Sequence, residues 1–560
     1  MIRKISVLGI LAILVLAIAI AGWIWLSGRN KGPLNAATIL PADTLILLEA
    51  RDVRSLGKRL NQTAVFHFFK EPEIARIVAP LRAKADPLPS FKALSTFGSE
   101  ARVEHVFVAQ VAAGEGIAMI GGFESGVGSS ALPGHLKKLH EMLGAAFDFD
   151  DQPARRHKRH AILRGAFGRL AIELVVVKNR CYFATAPVVL DGFLDRLDRF
   201  TTEGVAPDSL ASAKDFREAV SVLPAEWDAR LTMQPQRWAA FGADSTWLAG
   251  LLQTPKNLPR TAVLTSKIDS KIFRDALYIP GDFAKDWPVL SPDAPGFRST
   301  ALDIRLSIDA VIAARELPVL QWGKVPMVEE IERHFWKSHI TREQWVSAFG
   351  PEVRLAVLWP KGSGMPVFEL TCRVRQEGKA REIFSRLGDE IAASADVRRE
   401  VVQNKEVILV PTGESLLYTP AMMLEPDRLR IVSNVADFGL IERERAAGDN
   451  STKSLTTRSA KTKPDENLVS VHVDSALLAG RTYQLFRPVL ALTSRMLPNN
   501  QRRSFDWTQL PDVEVVTRNL QPMDVVLRRV GDGVLMESSG SLTLPQGLAA
   551  FWAIQSRMNR

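Results

Sequence analysis

Cysteine is almost absent from this 560-residue chain. Cys181 and Cys372 are the only two, so a disulfide framework is excluded. Each lies in an apolar, strand-like run, which reads as two buried thiols and leaves a single bridge open. A large excess of one charge is also missing. The 71 basic residues outnumber the 62 acidic ones by nine, too few over this length for a nucleic-acid footprint. An ordinary solvated surface fits that balance, and so does work beside anionic head groups. After residue 26 no stretch reaches 18 uninterrupted apolar residues, which excludes a second membrane crossing.

Recognisable catalytic motifs are the third absence. Gly121-Gly122-Phe-Glu-Ser-Gly126-Val-Gly128 lacks the Gly-Lys-Ser/Thr ending of a P-loop and the Rossmann spacing, and reads as a strand end running into a flexible loop. No Gly-x-Ser-x-Gly elbow occurs. His135/His140 and His334/His339 are each five apart and match no His-Glu-x-x-His pattern. His157 and His160 stand among cations that oppose metal binding. Surface histidines are expected, and neither a cofactor nor a metal site nor a catalytic residue is assigned.

What is present is an apolar start. Ile5 to Leu26 carries no charge and would span ~33 Å as a helix, enough for a hydrocarbon core of about 30 Å. Arg3 and Lys4 precede it and favour a cytoplasmic tip at residues 1–4; Trp23 and Trp25 close it at the expected membrane–water interface. Ala19-Ile20-Ala21 resembles a signal cleavage site, but apolar character continues past it, so an uncleaved anchor is expected. That places the chain in the cytoplasmic membrane as a single-pass protein, its bulk facing the periplasm or exterior. Residues 27–39 read as a linker.

Beyond the linker, short motifs recur about 250 residues apart, a period that points to duplication. Thr44 to Asp52, with Asp52 as a helix cap, corresponds to Thr300 to Asp309. Phe97-Gly98-Ser99-Glu100 corresponds to Phe349-Gly350-Pro351-Glu352, and Asn179-Arg180-Cys181 to Asp427-Arg428-Leu429. Gly531-Asp532-Gly533 closes a hairpin. Ala380, Ile383, Phe384, Leu387 and Ile391 share one helical face. Strands cluster in pairs and do not alternate regularly with helices, so the expected class is α+β: an N-terminal transmembrane helix followed by two similar units of antiparallel sheets with flanking helices. The units are expected at 40–287 and 297–560, with a junction at 288–296 and a mobile polar loop at 446–467.

One basic run is a candidate anionic-ligand patch: Arg155, Arg156, His157, Lys158, Arg159 and His160. It suits phospholipid head groups or another anionic polymer; a solvated turn beside the acidic Asp148 to Asp151 is the structural alternative. Glu100 and Glu352 occupy matching places, and a Phe-Gly-x-Glu turn accounts for them without catalysis. Trp227, Trp238, Trp247, Trp345, Trp359 and Trp552 suit either a glycan or lipid groove or packed cores.

Leu40-Pro41-Ala42-Asp43-Thr44, Phe216 to Pro224 and the Asp532-Gly533 hairpin, together with the apolar start, resemble a group of bacterial membrane-anchored envelope proteins known as a domain of unknown function. The resemblance implies an architecture and no activity. The expectation is a membrane-tethered, non-enzymatic envelope protein, a scaffold or binding module for another envelope component. A carrier of lipid or another apolar ligand and a hydrolase acting on envelope polymers are the alternatives. Expected partners are the bilayer and another envelope protein, lipid or anionic polymer, with no nucleic acid.

Overall fold

The computed structural model describes residues 35–76, 100–240, 259–281, 287–291, 299–307, 340–448, 467–496, 510–543 and 545–546. Within these, 115, 129, 144–146, 151, 168–169, 204–205, 207, 395–397, 403–404 and 410–418 are excepted. Two compact units emerge. The first holds residues 1–282 with 532–537, and the second 283–531 with 538–560.

The first unit runs β1 (Ile46–Arg51), α1 (Val53–Gln62), α2 (Ala64–Lys70), β2 (Val103–Ala113), β3 (Gly116–Ser125) and α3 (Leu132–Leu143). Next come β4 (Phe147–Phe149), β5 (Arg155–His157), β6 (His160–Phe167), β7 (Leu170–Val177) and β8 (Arg180–Ala184). It finishes with α4 (Pro187–Glu203), α5 (Lys214–Val222), β9 (Ala229–Met233), α6 (Pro235–Ala240), β10 (Ala262–Asp269) and β11 (Ile272–Pro280). Its antiparallel order is β6-β7-β8-β3-β2-β1-β9-β10-β11, with β4 and β5 both pairing with β6.

Successive side chains of β2 serve opposite faces of the sheet, as the two-residue period requires. Val106 and Val108 pack with Val53 and Leu56 of α1 and Leu132 and Leu136 of α3. Phe107 points the other way and stacks on Phe193 of α4 at 6.0 Å between ring centroids, with Tyr182 of β8 4.9 Å from Phe193. Coverage on both faces explains why β2 reads as a nearly continuous apolar run.

The second unit runs β12 (Thr300–Ser307), α7 (Arg342–Phe349), β13 (Glu352–Leu358), β14 (Val367–Arg373) and α8 (Glu377–Ser394). Four short strands follow, β15 (Arg398–Val402), β16 (Lys405–Leu409), β17 (Ala421–Leu424) and β18 (Arg428–Val432), then α9 (Asp437–Gly448) and β19 (Asn467–Val473). α10 (Ser475–Met496), α11 (Val513–Thr517), β20 (Met523–Val530) and β21 (Gly533–Gly540) complete it. The order β15-β16-β17-β18-β14-β13-β12-β19-β20 matches β5-β6-β7-β8-β3-β2-β1-β9-β10 of the first unit, which has β4 in addition. In each unit three strands meander, a helix intervenes, and four strands dock their last member on the third. After a further helix, a strand returns to pair with the first.

The helix expected over Ala380–Ile391 is α8; its Ala380, Ile383, Phe384 and Leu387 are buried beneath Trp345 and Phe349 of α7. Full burial of apolar side chains of this size contributes about 1.5–3 kcal/mol each. Thr341 and Gln344 form a reciprocal capping box that starts α7, and Gly350 ends it at φ 75°, a backbone region that favours glycine.

The expected fold class needs correction. The strands do not form separate sheets; they belong to one large antiparallel sheet. β21 is shared: Gly533–Glu537 belongs to the first unit and Ser538–Gly540 to the second. Among the described residues no helix is long and apolar enough to cross a membrane. The run 5–26, with Trp23 and Trp25, lies outside the described residues, as do most of the linker, most of the expected 446–467 loop, and 292–296 of the junction.

One local expectation is met and another changes. The run Gly121–Gly128 does hold the end of β3, at Ser125, with a loop after it, and Gly121 and Gly122 lie inside the strand. A Cβ on Gly121 would meet Phe183, and one on Gly122 would lie 2.5 Å from the Tyr182 ring and 2.9 Å from Phe107. Glycine is there because aromatic rings occupy the space. Asp52 precedes α1 at φ 43° but caps no backbone N–H; its carboxylate accepts from Ser55 Oγ and Arg59 instead.

Candidate functional site

The basic run Arg155–His160 forms the β5–β6 hairpin, with Lys158 in its turn at φ 50°. α4 faces it with Asp191, Asp195 and Asp198, spaced four and three residues apart so that they share a helical face. Arg155 donates Nε to Glu173 at 3.0 Å and Nη1 to Asp191 at 3.0 Å. His157 Nε2 lies 2.7 Å from Asp195, which also holds Lys158 Nζ at 2.6 Å. Asp198 accepts from Arg159 Nη2 at 2.6 Å and sits 3.1 Å from His160 Nε2.

The hydrogen bonds to Lys158 and then His157 lower the Asp195 pKa. Desolvation would raise that of Asp198, but its bonds to Arg159 and His160 outweigh it and the net direction is down. Arg155 is pushed above its ordinary value, chiefly by Glu173. The hairpin thus meets its counter-anions within its own unit, and Arg156, Lys158 and Arg159 are the exposed cations of the run. His160, expected at the surface, is buried, because β6 begins underneath α4.

The remaining sequence candidates are structural in their contacts. Glu352 accepts from Arg305 Nε at 2.9 Å and from the Ser291 N–H at 2.9 Å. Burial would raise its pKa, and those two partners lower it on balance. Glu100 pairs with Lys138 at 2.8 Å. Trp227, Trp238, Trp345 and Trp359 are buried, whereas Trp247 and Trp552 lie outside the described residues. Cys181 and Cys372 are free and buried, and burial pushes both thiols up to about 12. Among the described residues no group of three or more His, Cys, Asp or Glu is placed to hold a metal ion.

Sequence reasoning missed two buried ionic clusters, since nothing local marks a charge that pairs across strands. In the first unit, Glu49 of β1 stands opposite Arg230 of β9, which donates Nε to it at 2.9 Å. The Arg51 and Arg230 guanidinium groups lie 3.8 and 4.6 Å from the Trp227 ring. His105, 1% exposed, has Nε2 3.9 Å from Glu49. Burial first, then Arg51, Arg230 and Arg180, lowers its pKa to about 3. In the second unit, Glu369 accepts from Arg430 Nε at 2.7 Å and Arg445 Nη2 at 2.9 Å. Beside it a cavity of about 330 Å³ is lined by Lys405, Glu425, Arg428, Arg430, Phe438 and Glu442. Its charges are matched: Lys405 and Arg428 pair with Glu425 at 2.7 and 2.8 Å, and Arg430 with Glu442 at 2.7 Å.

α10 differs from all of these. Its inner side rests on α11, where a Cβ on Gly480 would lie 2.9 Å from Thr517, and Tyr483 donates to the Pro511 carbonyl at 2.5 Å. On the other side Leu485, Phe486, Val489 and Leu492 are 37, 51, 55 and 57% exposed. At 3.6 residues per turn they fall within about 120° of arc. An apolar stripe of this kind is normally turned inward. Pro488 lies within the same helix and removes the N–H that would bond one turn back. From Ser475 to Phe505 the sequence carries Arg481, Arg487, Arg495, Arg502 and Arg503, and no Asp or Glu. On the described helix Arg487 is paired with Asp512 at 3.2 Å; among the described residues no acid–base or nucleophilic pair is part of the stripe.

No family model and no curated protein matches the chain. Among solved structures, crystal form I of TP0453 is similar at 9% identity and a TM-score of 0.22, over 45% of this chain and 80% of that one. Crystal form III gives 8%, 0.22, 47% and 98%, and crystal form IV gives 8%, 0.21, 46% and 97%. Likeness of that degree assigns neither activity nor partner.

Proposed function

We propose that the protein is a non-enzymatic binding module of the bacterial envelope, held at the cytoplasmic membrane by the uncharged run Ile5–Leu26, with its folded units on the periplasmic or exterior side. The observation that carries this reading is the outward apolar stripe of α10. Large side chains exposed singly are ordinary, but a contiguous stripe marks a surface that something else covers. The ionic clusters support the same reading, because their charges are spent on holding strands and helices together.

A photo-crosslinking residue placed at Phe486 in the full chain, expressed in intact cells, tests it. An adduct at position 486 that is missing at Val188, a still more exposed position of α4, is the expected result. Equal, background-level reaction at both positions would overturn the proposal.

A further inference from the structure

We infer that the cavity of the second unit, where β16, β17 and β18 meet α9, binds a small zwitterion: one cationic and one anionic group joined by a short hydrocarbon link. The site is separate from the α10 stripe, and its test does not depend on that surface. The cavity measures about 330 Å³, at the small end of ligand sites. Lys405, Arg428 and Arg430 line it against Glu425, Asp427 and Glu442. A lone ion of either sign would meet as many repelling groups as attracting ones. A ligand that carries both signs can turn each toward its own partners.

The ion pairs neutralise charge without using up the hydrogen bonds. Arg428 reaches Glu425 through Nε, and among the described residues its two Nη groups have no hydrogen-bond partner. Arg430 donates Nε to Glu369 and Nη1 to Glu442, while its buried Nη2 has no partner. An unbonded polar atom at such depth is uncommon in native folds and costs stability. On the acidic side, Arg430 and Arg445 both bond to Glu442 Oε1, which leaves Oε2 to accept from an ammonium group. The anionic group has the Nη groups of Arg428 as donors, with Arg430 Nη2 still unsatisfied in the same cluster. Met423 and Phe438, both buried, supply an apolar lining for the link. In the first unit the matching position is filled. Tyr182, which takes the ladder place of Arg430, packs its ring 4.9 Å from that of Phe193.

Calorimetric titration of the full chain in nonionic detergent tests this. The probes are two zwitterions, β-alanine and glycerophosphoethanolamine, with acetate and ethanolamine as single-charge controls. Both zwitterions should bind at least about tenfold more tightly than either control. Glu442→Gln should strengthen acetate binding and weaken ethanolamine binding, and Arg428→Gln should do the reverse. Each variant is titrated below its melting transition, so that loss of the fold is not read as loss of the site. A cluster that only holds strands together gives no such crossed response. Vesicles then separate two sources of the same chemistry. Phosphatidylethanolamine, compared with phosphatidylglycerol, should compete with β-alanine where the natural ligand is a lipid head group, and leave its binding unchanged where it is a free solute. Either result agrees with a zwitterion site. Equal affinity for acetate and β-alanine, no saturable binding of either zwitterion, or parallel responses of the two variants would overturn the inference.

Discussion

The two units share a strand order and differ in what they do with it. In the first, the return from β9 toward β10 begins with α6, whose Pro235 and Trp238 are buried against the sheet beside Leu45. In the second, the corresponding return from β19 toward β20 is α10, which turns Leu485, Phe486, Val489 and Leu492 outward. The hairpin before the returning strand diverges as well. β5–β6 is clamped to α4 by five basic side chains, whereas in β15–β16 Arg399 ties the hairpin to Asp389 of α8 and to Glu406. One frame thus supports an inward-facing connection and an outward-facing one. Strand order is fixed by cross-strand pairing, and function is free to change in the segments that join the strands.

The largest contrast concerns the buried carboxylates. Glu49 has one arginine, while Glu369 has two. Arg230→Met should cost about 3–5 kcal/mol, because a buried carboxylate loses the one arginine bonded to it. Arg430→Met should cost less, about 1–3 kcal/mol, since Arg445 remains on Glu369. Hydrogen exchange in β1 and β9 against β14 and β18 reads both; equal losses would show that the second arginine is idle.

Packing gives the next contrast. Gly122 stands opposite Tyr182 in the first unit, and the matching ladder position of the second pairs Thr371 with Arg430. Gly122→Ala should destabilise by about 1–3 kcal/mol, as overpacking does, and Thr371→Ala by less; denaturant midpoints check this.

Two histidines should respond to pH with opposite sign. His105 is neutral in the fold and its pKa is lowered to about 3. Its contribution is complete above the ordinary 6.5 and is lost as pH falls toward 3, at up to about 1.4 kcal/mol per pH unit. His472 has its pKa raised, first by its bond to Asp524 at 2.7 Å. Its contribution is complete below 6.5 and disappears as pH rises through the folded value. Exchange protection of β2 and of β19, followed from pH 4 to 8 on the order of one pH unit at a time, should therefore drift in opposite directions. Parallel drifts would refute the assignment. Smallest of all, Phe486→Asp should change stability by less than about 0.5 kcal/mol, because the side chain is exposed.

Much of this was legible in the residues. α8 announced itself through Ala380, Ile383, Phe384 and Leu387, and Gly350 marked the end of α7, because periodicity and glycine geometry are local properties. The basic run Arg155–His160 was visible as charge. Its three aspartates on α4 were not, since ion pairing between a hairpin and a helix depends on tertiary placement. The single sheet escaped notice for the same reason: repeated motifs suggest separate bodies, and nothing in β21 reveals that it is divided between two units. α10 was overlooked because Arg481, Arg487 and Pro488 interrupt its apolar run. The absence of acidic residues from Ser475 to Phe505 was the signal available.

Maleimide labelling of Leu492→Cys in native membranes, beside Val188→Cys, tests the outward stripe of α10 most directly. The account predicts slow reaction at 492 and fast reaction at 188, with 492 accelerating once the membranes are dispersed and the protein is freed of its partner. Equally fast labelling at both positions in intact membranes would contradict it.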